Sequence, residues 1–288
     1  MSRIAMLATV LSLALVSCGG SAPGVPTAEG EPKPLPAASA PGIKAETIET
    51  SMGTLRITPI WHGTLALEVN DTVVVVDPWS KAPAERLPKA DLILITDMHQ
   101  DHFDEGAIAQ VRKAESVIVA PQVVVDKLPA AEPLANGEAV TKRGIGILAV
   151  PMYNEKRGPE EGKLFHDKGR GNGYLLRFGE TQIYISGDTE CIEEMRALTN
   201  VDMAFVCMNL PYTMPPEEAA ECIKAFRPKV MVPYHYRGSD LGVLEKALEG
   251  DRVWGPAVEK CAELAAEKDE AIRRESALDD KLGANTSC

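Results

Sequence analysis

Leu92-Ile93-Leu94-Ile95-Thr96-Asp97-Met98-His99-Gln100-Asp101-His102-Phe103-Asp104 is the stretch that decides the fold. Its first four residues make an apolar run of the kind found in parallel strands buried on both faces, and polar residues begin where the run stops. If the chain stays extended past Thr96, Asp97, His99 and Asp101 point to one side, because side chains alternate along a strand, and His102 follows at the turn. Two carboxylates and two imidazoles therefore gather at the C-terminal end of a strand, where ligand sites lie in layered α/β proteins. This donor set suits zinc, iron or manganese rather than calcium. A polar loop capping the next helix through Asp101 or Asp104 would explain one aspartate. It would not explain two histidines in a chain that has five.

Working outward, Leu55–His62 reads as a strand, and Thr64–Val69 with Thr72–Val76 as a hairpin across Asn70-Asp71. Val73–Val76 is an uninterrupted β-branched run, hence a central strand, and it ends in Asp77-Pro78-Trp79. After His102 the pattern predicts a helix over 105–114, a strand over 116–120 and a short helix over 123–127. Two strand-like stretches over 137–150 end at Pro151-Met152-Tyr153-Asn154, and a long polar loop follows to about Gly171. Loops of that length are uncommon unless they carry function. A second hairpin, 173–178 with 181–186, ends in Gly187-Asp188-Thr189. A buried strand at 203–208, a helix from Pro215-Pro216-Glu217-Glu218 to Phe226, and a strand ending at Pro233-Tyr234-His235 complete the series. The chain thus reads as two similar halves, each with a hairpin whose last strand ends in an aspartate (Asp77, Asp188), followed by βα units. Layering of this order predicts an α/β fold, an αββα sandwich of two mixed β-sheets with outer helices.

The ends belong to other classes of segment. Met1-Ser2-Arg3 is a short positive region, and Ile4–Val16 is a mostly apolar run too short for a spanning helix. It ends in Leu15-Val16-Ser17-Cys18, which resembles a bacterial lipobox. Residues 1–17 are therefore expected to be a lipoprotein signal peptide, with Cys18 lipidated; an ordinary secretory peptide or a buried helix is the alternative. Residues 18–44, rich in Pro and Ala, read as an extended tether, 45–257 as the catalytic domain and 258–288 as a helical tail. The expected address is the cell envelope, and the outer membrane in a Gram-negative cell because no aspartate follows Cys18. Five further cysteines, 191, 207, 222, 261 and 288, are too irregular for a disulfide framework or a zinc knot, though an exported chain has room for one bridge. Cys207 and Cys222 read as core. A net charge of -12, one unit more negative once Arg3 leaves, argues for solubility and against nucleic acid as a partner. Nothing in the sequence sets an oligomeric state.

Several distant segments place a suitable residue just after a strand: Asp97 to His102, Asn154, Asp188 and His235. Taken with Trp61-His62-Gly63-Thr64, Asp77-Pro78-Trp79, Gly187-Asp188-Thr189 and Pro233-Tyr234-His235, the pattern resembles the metallo-β-lactamase superfamily over roughly residues 53–255. It is most similar to the branch of predicted zinc-dependent hydrolases that includes sugar-lactone hydrolases and N-acylphosphatidylethanolamine phospholipase D-like enzymes. The resemblance implies a centre of one or two divalent metal ions, zinc first, iron or manganese otherwise. The family motif H-x-H-x-D-H is written here as Asp97-x-His99-x-Asp101-His102, and Asn154 stands where the family has its next histidine. The first ion would take Asp97, His99 and Asn154, the second Asp101, His102 and His235, with Asp188 bridging. The second set is intact and the first altered, since an asparagine carbonyl is a poor zinc ligand.

Asp97, Asp101 and Asp188 bring three negative charges into one cleft, a costly arrangement without a cation. One divalent ion leaves the set at about -1 and two at about +1, by the same charge accounting. Asp97 is therefore either a ligand or a general base, and Asp101 holds the ion and the attacking water. His166, within Phe165-His166-Asp167-Lys168-Gly169-Arg170-Gly171, is a missing ligand, a substrate-binding group or a proton donor, with a surface histidine as the plain alternative. Basic residues at 156, 157, 163, 168 and 170 suggest an anionic small-molecule substrate, and an exposed lid explains them as well. The expected activity is hydrolysis of a lactone, amide or phosphodiester by a metal-activated water. A weakly catalytic or non-catalytic metal-binding lipoprotein is the alternative.

Overall fold

The computed structural model describes residues 46–249. The signal peptide, the tether, Cys18 and the helical tail expected from the sequence lie outside the described residues.

Seven strands form one sheet in chain order: β1 (Glu46–Thr50), β2 (Gly53–Trp61), β3 (Thr64–Val69), β4 (Thr72–Val76), β5 (Ala90–Leu94), β6 (Arg112–Ala120) and β7 (Glu132–Pro133). Six form the other: β8 (Ala139–Lys142), β9 (Ile145–Met152), β10 (Gly171–Phe178), β11 (Thr181–Ile185), β12 (Met203–Cys207) and β13 (Val230–Tyr234). Both sheets change character at the same place in their half. β1 to β4 are antiparallel and β4 to β7 parallel. Likewise β8 to β11 are antiparallel and β11 to β13 parallel. The helices are α1 (Glu105–Val111), α2 (Gln122–Val125), α3 (Glu193–Arg196), α4 (Pro216–Phe226) and α5 (Leu241–Leu248); all but α5 lie in crossovers between parallel strands.

The uninterrupted apolar runs explain this layering. Val74, Val76, Leu92 and Leu94 enter the core between the sheets with Ile147, Ala149, Tyr174, Leu176 and Ile185. Their neighbours Val75, Ile93 and Ile95 face the other way, onto Ile108, Val111 and Val124 beside α1 and α2. Each strand of such a pair is hydrophobic at every position because both faces are covered. The predicted α/β sandwich of two mixed sheets with outer helices is the observed fold.

Three local expectations change. β5 ends at Leu94, and the chain does not stay extended to Asp101; instead the amides of His102 and Phe103 donate to the carbonyl of His99 (3.0 and 2.7 Å), making a tight turn. The helix expected over 105–114 stops at Val111, and β6 begins at once. Edge strands β1 and β7 were not foreseen. Cys222 is buried as expected, but in a disulfide with Cys191 that ties the segment after β11 to α4, with a Cα separation of 5.4 Å.

Candidate metal centre

The C-terminal ends of β4, β5, β11 and β13 meet along one edge of the sandwich. The turn at 99–102 divides the ligands that period-two alternation would have placed together. Asp97 and His99 go one way, with His99 Nδ1 2.8 Å from Asp97 Oδ2. Asp101 and His102 go the other, where His235 Nε2 lies 3.2 Å from Asp101 Oδ2. Asp188, after β11, sits between the groups, 3.3 Å from His102 Nε2, 3.4 Å from His235 Nδ1 and 3.4 Å from His166 Nε2. Three sets of ligand atoms result: Asp97, His99 and His166; His102, Asp188 and His235; and His62, Asp101 and His235.

The second set has the mark of a cation site. His102 Nε2, Asp188 Oδ1 and His235 Nδ1 are buried and make no hydrogen bond. Buried polar atoms normally make a hydrogen bond, and three of ligand chemistry that face one another without one fit a metal ion. On the far side of His102, Nδ1 donates to Asp77 Oδ2 (2.7 Å), which leaves Nε2 to face the cluster. Asp77 is held in turn by the amide and hydroxyl of Thr96 (2.8 and 2.5 Å). His62, Asp77 and His235 all have positive φ (50°, 44° and 47°), a conformation costly for such residues and concentrated at functional sites.

The electrostatics agree. Burial would lower the affinity of His102 for a proton, yet Asp188, Asp101 and Asp77 outweigh it and push its pKa well above the ordinary value. Burial alone would raise Asp188, but His235 and His102 hold it well below the carboxylate range. Asp101 is depressed in the same way by His102 and His235. The cluster thus favours positive charge at its centre. His62 behaves oppositely: burial and the neighbouring His235 lower it to about 3. It remains neutral at neutral pH, with Nε2 3.5 Å from Asp101 Oδ2 and its ring centroid 3.8 Å from that of His235.

Asp97 is fully buried and gripped by Arg170, whose Nε and Nη2 donate to Oδ1 (3.1 Å) and Oδ2 (2.8 Å). Burial opposes ionisation, but His99 and Arg170 overcome it and keep the carboxyl well below its usual range. Both Asp97 oxygens are thus engaged by Arg170, and Oδ2 also faces His99 Nδ1.

Asn154 is a correction. It was expected to offer its carbonyl oxygen to the first ion, but that oxygen accepts from the backbone N of His166 (2.9 Å) and faces His166 Nδ1 at 2.7 Å. The vacated ligand position is met by His166 itself, 99 % buried, with Nε2 3.4 Å from Asp188 and 4.0 Å from Asp97. The surface-histidine alternative is excluded by that burial. The long loop is tied down rather than open: Asn154 N donates to His166 O (2.9 Å), and Phe165 N to Arg157 O (3.1 Å). Four of its five basic side chains have acidic partners. Arg157 pairs with Glu218 and Glu190, Lys163 with Glu160, Lys168 with Glu194 and Arg170 with Asp97. Asp77 and Glu190 are site residues with no role in the sequence reading, and Arg170, read there as one of the basic residues that suggest an anionic substrate, bonds Asp97 instead. Asp77 had a signal, its place at the end of the first hairpin in parallel with Asp188.

Comparison with known proteins agrees with this geometry. Residues 56–235 match the Beta-lactamase superfamily domain. A UPF0173 metal-dependent hydrolase of Cupriavidus necator is 30% identical over 266 residues, covering 82% of this chain and 87% of that protein. Another, from Thermodesulfovibrio yellowstonii, is 31% identical over 214 residues, 65% of this chain and 80% of its own. Among solved structures, a protein from Parabacteroides distasonis named as a metal-dependent hydrolase superposes with a TM-score of 0.69 at 39% identity, over 73% of this chain and 96% of that one.

Proposed function

Because the chain belongs to the metallo-β-lactamase superfamily, with the UPF0173 metal-dependent hydrolases, and is itself a metal-dependent hydrolase, we propose that it cleaves a lactone, amide or phosphodiester bond at a centre of one or two ions, zinc first. The observation that supports the metal assignment is the convergence of three buried atoms on His102, Asp188 and His235 that make no hydrogen bond. These residues with Asp101 would hold one ion, and Asp97, His99 and His166 the other. A bound divalent ion supplies Lewis acidity and lowers the pKa of water to near neutrality.

The chain's own groups have distinct tasks. Asp188 spans both sets. Asp101 is 29% exposed where Asp97 and Asp188 are 0% and 5%, so of the three carboxylates it is the one open to water. His62 lies beside it, Nε2 3.5 Å from Asp101 Oδ2. Arg170 keeps Asp97 ionised and fixed. The lipobox-like Ser17-Cys18 and the Cys191–Cys222 disulfide support export and anchoring through a lipidated Cys18, since such bridges persist outside reducing compartments. Mass spectrometry of the N-terminal peptide, showing diacylglycerol and palmitate on Cys18 or a free thiol, decides the anchor.

The function is tested by elemental analysis with a panel of lactone, amide and phosphodiester substrates, wild type beside His235→Ala. Turnover that is lost together with metal supports the reading. Metal retained with no turnover on any member of the panel refutes the bond assignment, and absence of metal from the wild type refutes the centre.

A further inference from the structure

Glu190 lies two residues beyond Asp188 and is almost completely buried. Its carboxylate receives the backbone amides of Glu155 and Lys156 (both 3.1 Å) and of Arg157 (2.8 Å). A fourth donor is the Asn154 side-chain nitrogen, which gives one hydrogen to Glu190 Oε1 (3.1 Å) and another to the carbonyl of Tyr212 (2.9 Å).

These contacts fix which way the Asn154 amide faces. A carboxylate and a carbonyl can only accept, so the NH2 end must point to them and the oxygen must point to His166. That oxygen already takes the His166 backbone N–H, and it lies 2.7 Å from Nδ1. Nδ1 can bond it only by carrying a proton. The neutral ring then has its lone pair on Nε2, the atom facing Asp188 and Asp97.

We propose that Glu190, acting through Asn154, is a positioning residue that sets the tautomer of His166 and so makes its Nε2 a ligand for the ion shared with Asp97 and His99. This rests on the metal-centre reading above. Asp77 does the same for His102 by direct contact; on this side the carboxylate acts at one remove, through an amide. The arrangement also gives Asn154 a function in the position where the superfamily's mid-chain histidine is expected: the ligand has moved to the loop, and the strand end orients it.

The test uses the full chain loaded with zinc in competition with a chromophoric chelator, and 15N-histidine labelling to read the tautomer by long-range proton–nitrogen correlation. His166→Gln identifies the His166 signals. In the wild type, two zinc ions and a protonated Nδ1 on His166 are expected. Glu190→Gln replaces an acceptor of the Asn154 NH2 by an amide and so loosens the orientation that presents the Asn154 oxygen to His166 Nδ1. Asn154→Leu removes the acceptor altogether. Each variant should weaken one zinc site by about 10–100-fold and leave the other intact, and the intact site shows that the variant has folded. Two zinc affinities unchanged in Glu190→Gln overturn the proposal, as does His166 protonated on Nε2 in the metal-free wild type. A wild type that binds one zinc, insensitive to Asn154→Leu, overturns it while sparing the hydrolase reading. No zinc in the wild type sinks both.

Discussion

Replacing both members of the Cys191–Cys222 bridge with alanine should lower the stability of the folded chain by about 3–4 kcal/mol, the chain-entropy expectation for a bridge closing a loop of this size. The magnitude follows from the sequence separation of 31, which the bridge removes from the freedom of the unfolded chain. At roughly 2–4 °C per kcal/mol for a domain of 150–250 residues, the shift in Tm is about 6–16 °C. Alanine substitution needs no reductant in the metal-loaded sample, and it leaves Cys207, the free cysteine among the described residues, in place; burial pushes that thiol up to about 12. Thermal unfolding by circular dichroism on metal-loaded wild type and double variant is the assay, with urea unfolding to check that the m-value is unchanged. A Tm difference under about 2 °C, outside the range that this loop length and size imply, would refute the account.

Asp77→Asn keeps the shape but removes the carboxylate that fixes His102, so zinc affinity at the His102 site should fall about 10–100-fold by chelator competition; unchanged affinity would show that Asp77 does not tune the ligand. Gly187→Ala should destabilise by at least roughly 1–3 kcal/mol in urea unfolding. Gly187 has φ +62°, and an added Cβ would lie 2.5 Å from Met152 Sδ and 3.1 Å from the Asn172 carbonyl; a variant of wild-type stability would contradict that packing. Glu190 gives a pH signature. Burial would raise it, but the Asn154 amide and the amides of Arg157 and Glu155 hold its carboxyl below its ordinary 4.5. A depressed folded value means stability present above the unfolded value and lost as pH falls through the folded one. The stability gap between wild type and Glu190→Gln should therefore be widest near neutral pH and narrow below about pH 4.5, the unfolded carboxylate range. A gap that is flat with pH would count against the buried carboxylate.

The strands were legible where one physical cause acts alone. Val73–Val76 and Leu92–Ile95 are apolar at every position because both faces are covered, and a single sequence displays that fully. The halves were legible too, since Asp77 and Asp188 mark equivalent strand ends. The direction of each ligand was not. Whether Asp97 and Asp101 share a face depends on a turn closed by the His99 carbonyl, and nothing in the polar run distinguishes that turn from extended chain. The exchange of Asn154 for His166 was hidden for another reason: it is made by contacts to Glu190 and Tyr212, 36 and 58 residues away. The same holds for the disulfide, whose partners approach only when α4 packs beside the segment after β11.

The two sheets meet at the site through residues far apart in the chain: Asp101 and His235 are 134 positions apart. An ion held jointly by the β5 end and the β13 end closes a ring of that size, and closure of long loops is where such links gain most. If an ion binds only the assembled edge, each tenfold rise in free metal above its dissociation constant would add about 1.4 kcal/mol to the folded state. Metal supply would then govern how much of the folded enzyme persists as well as how fast it turns over.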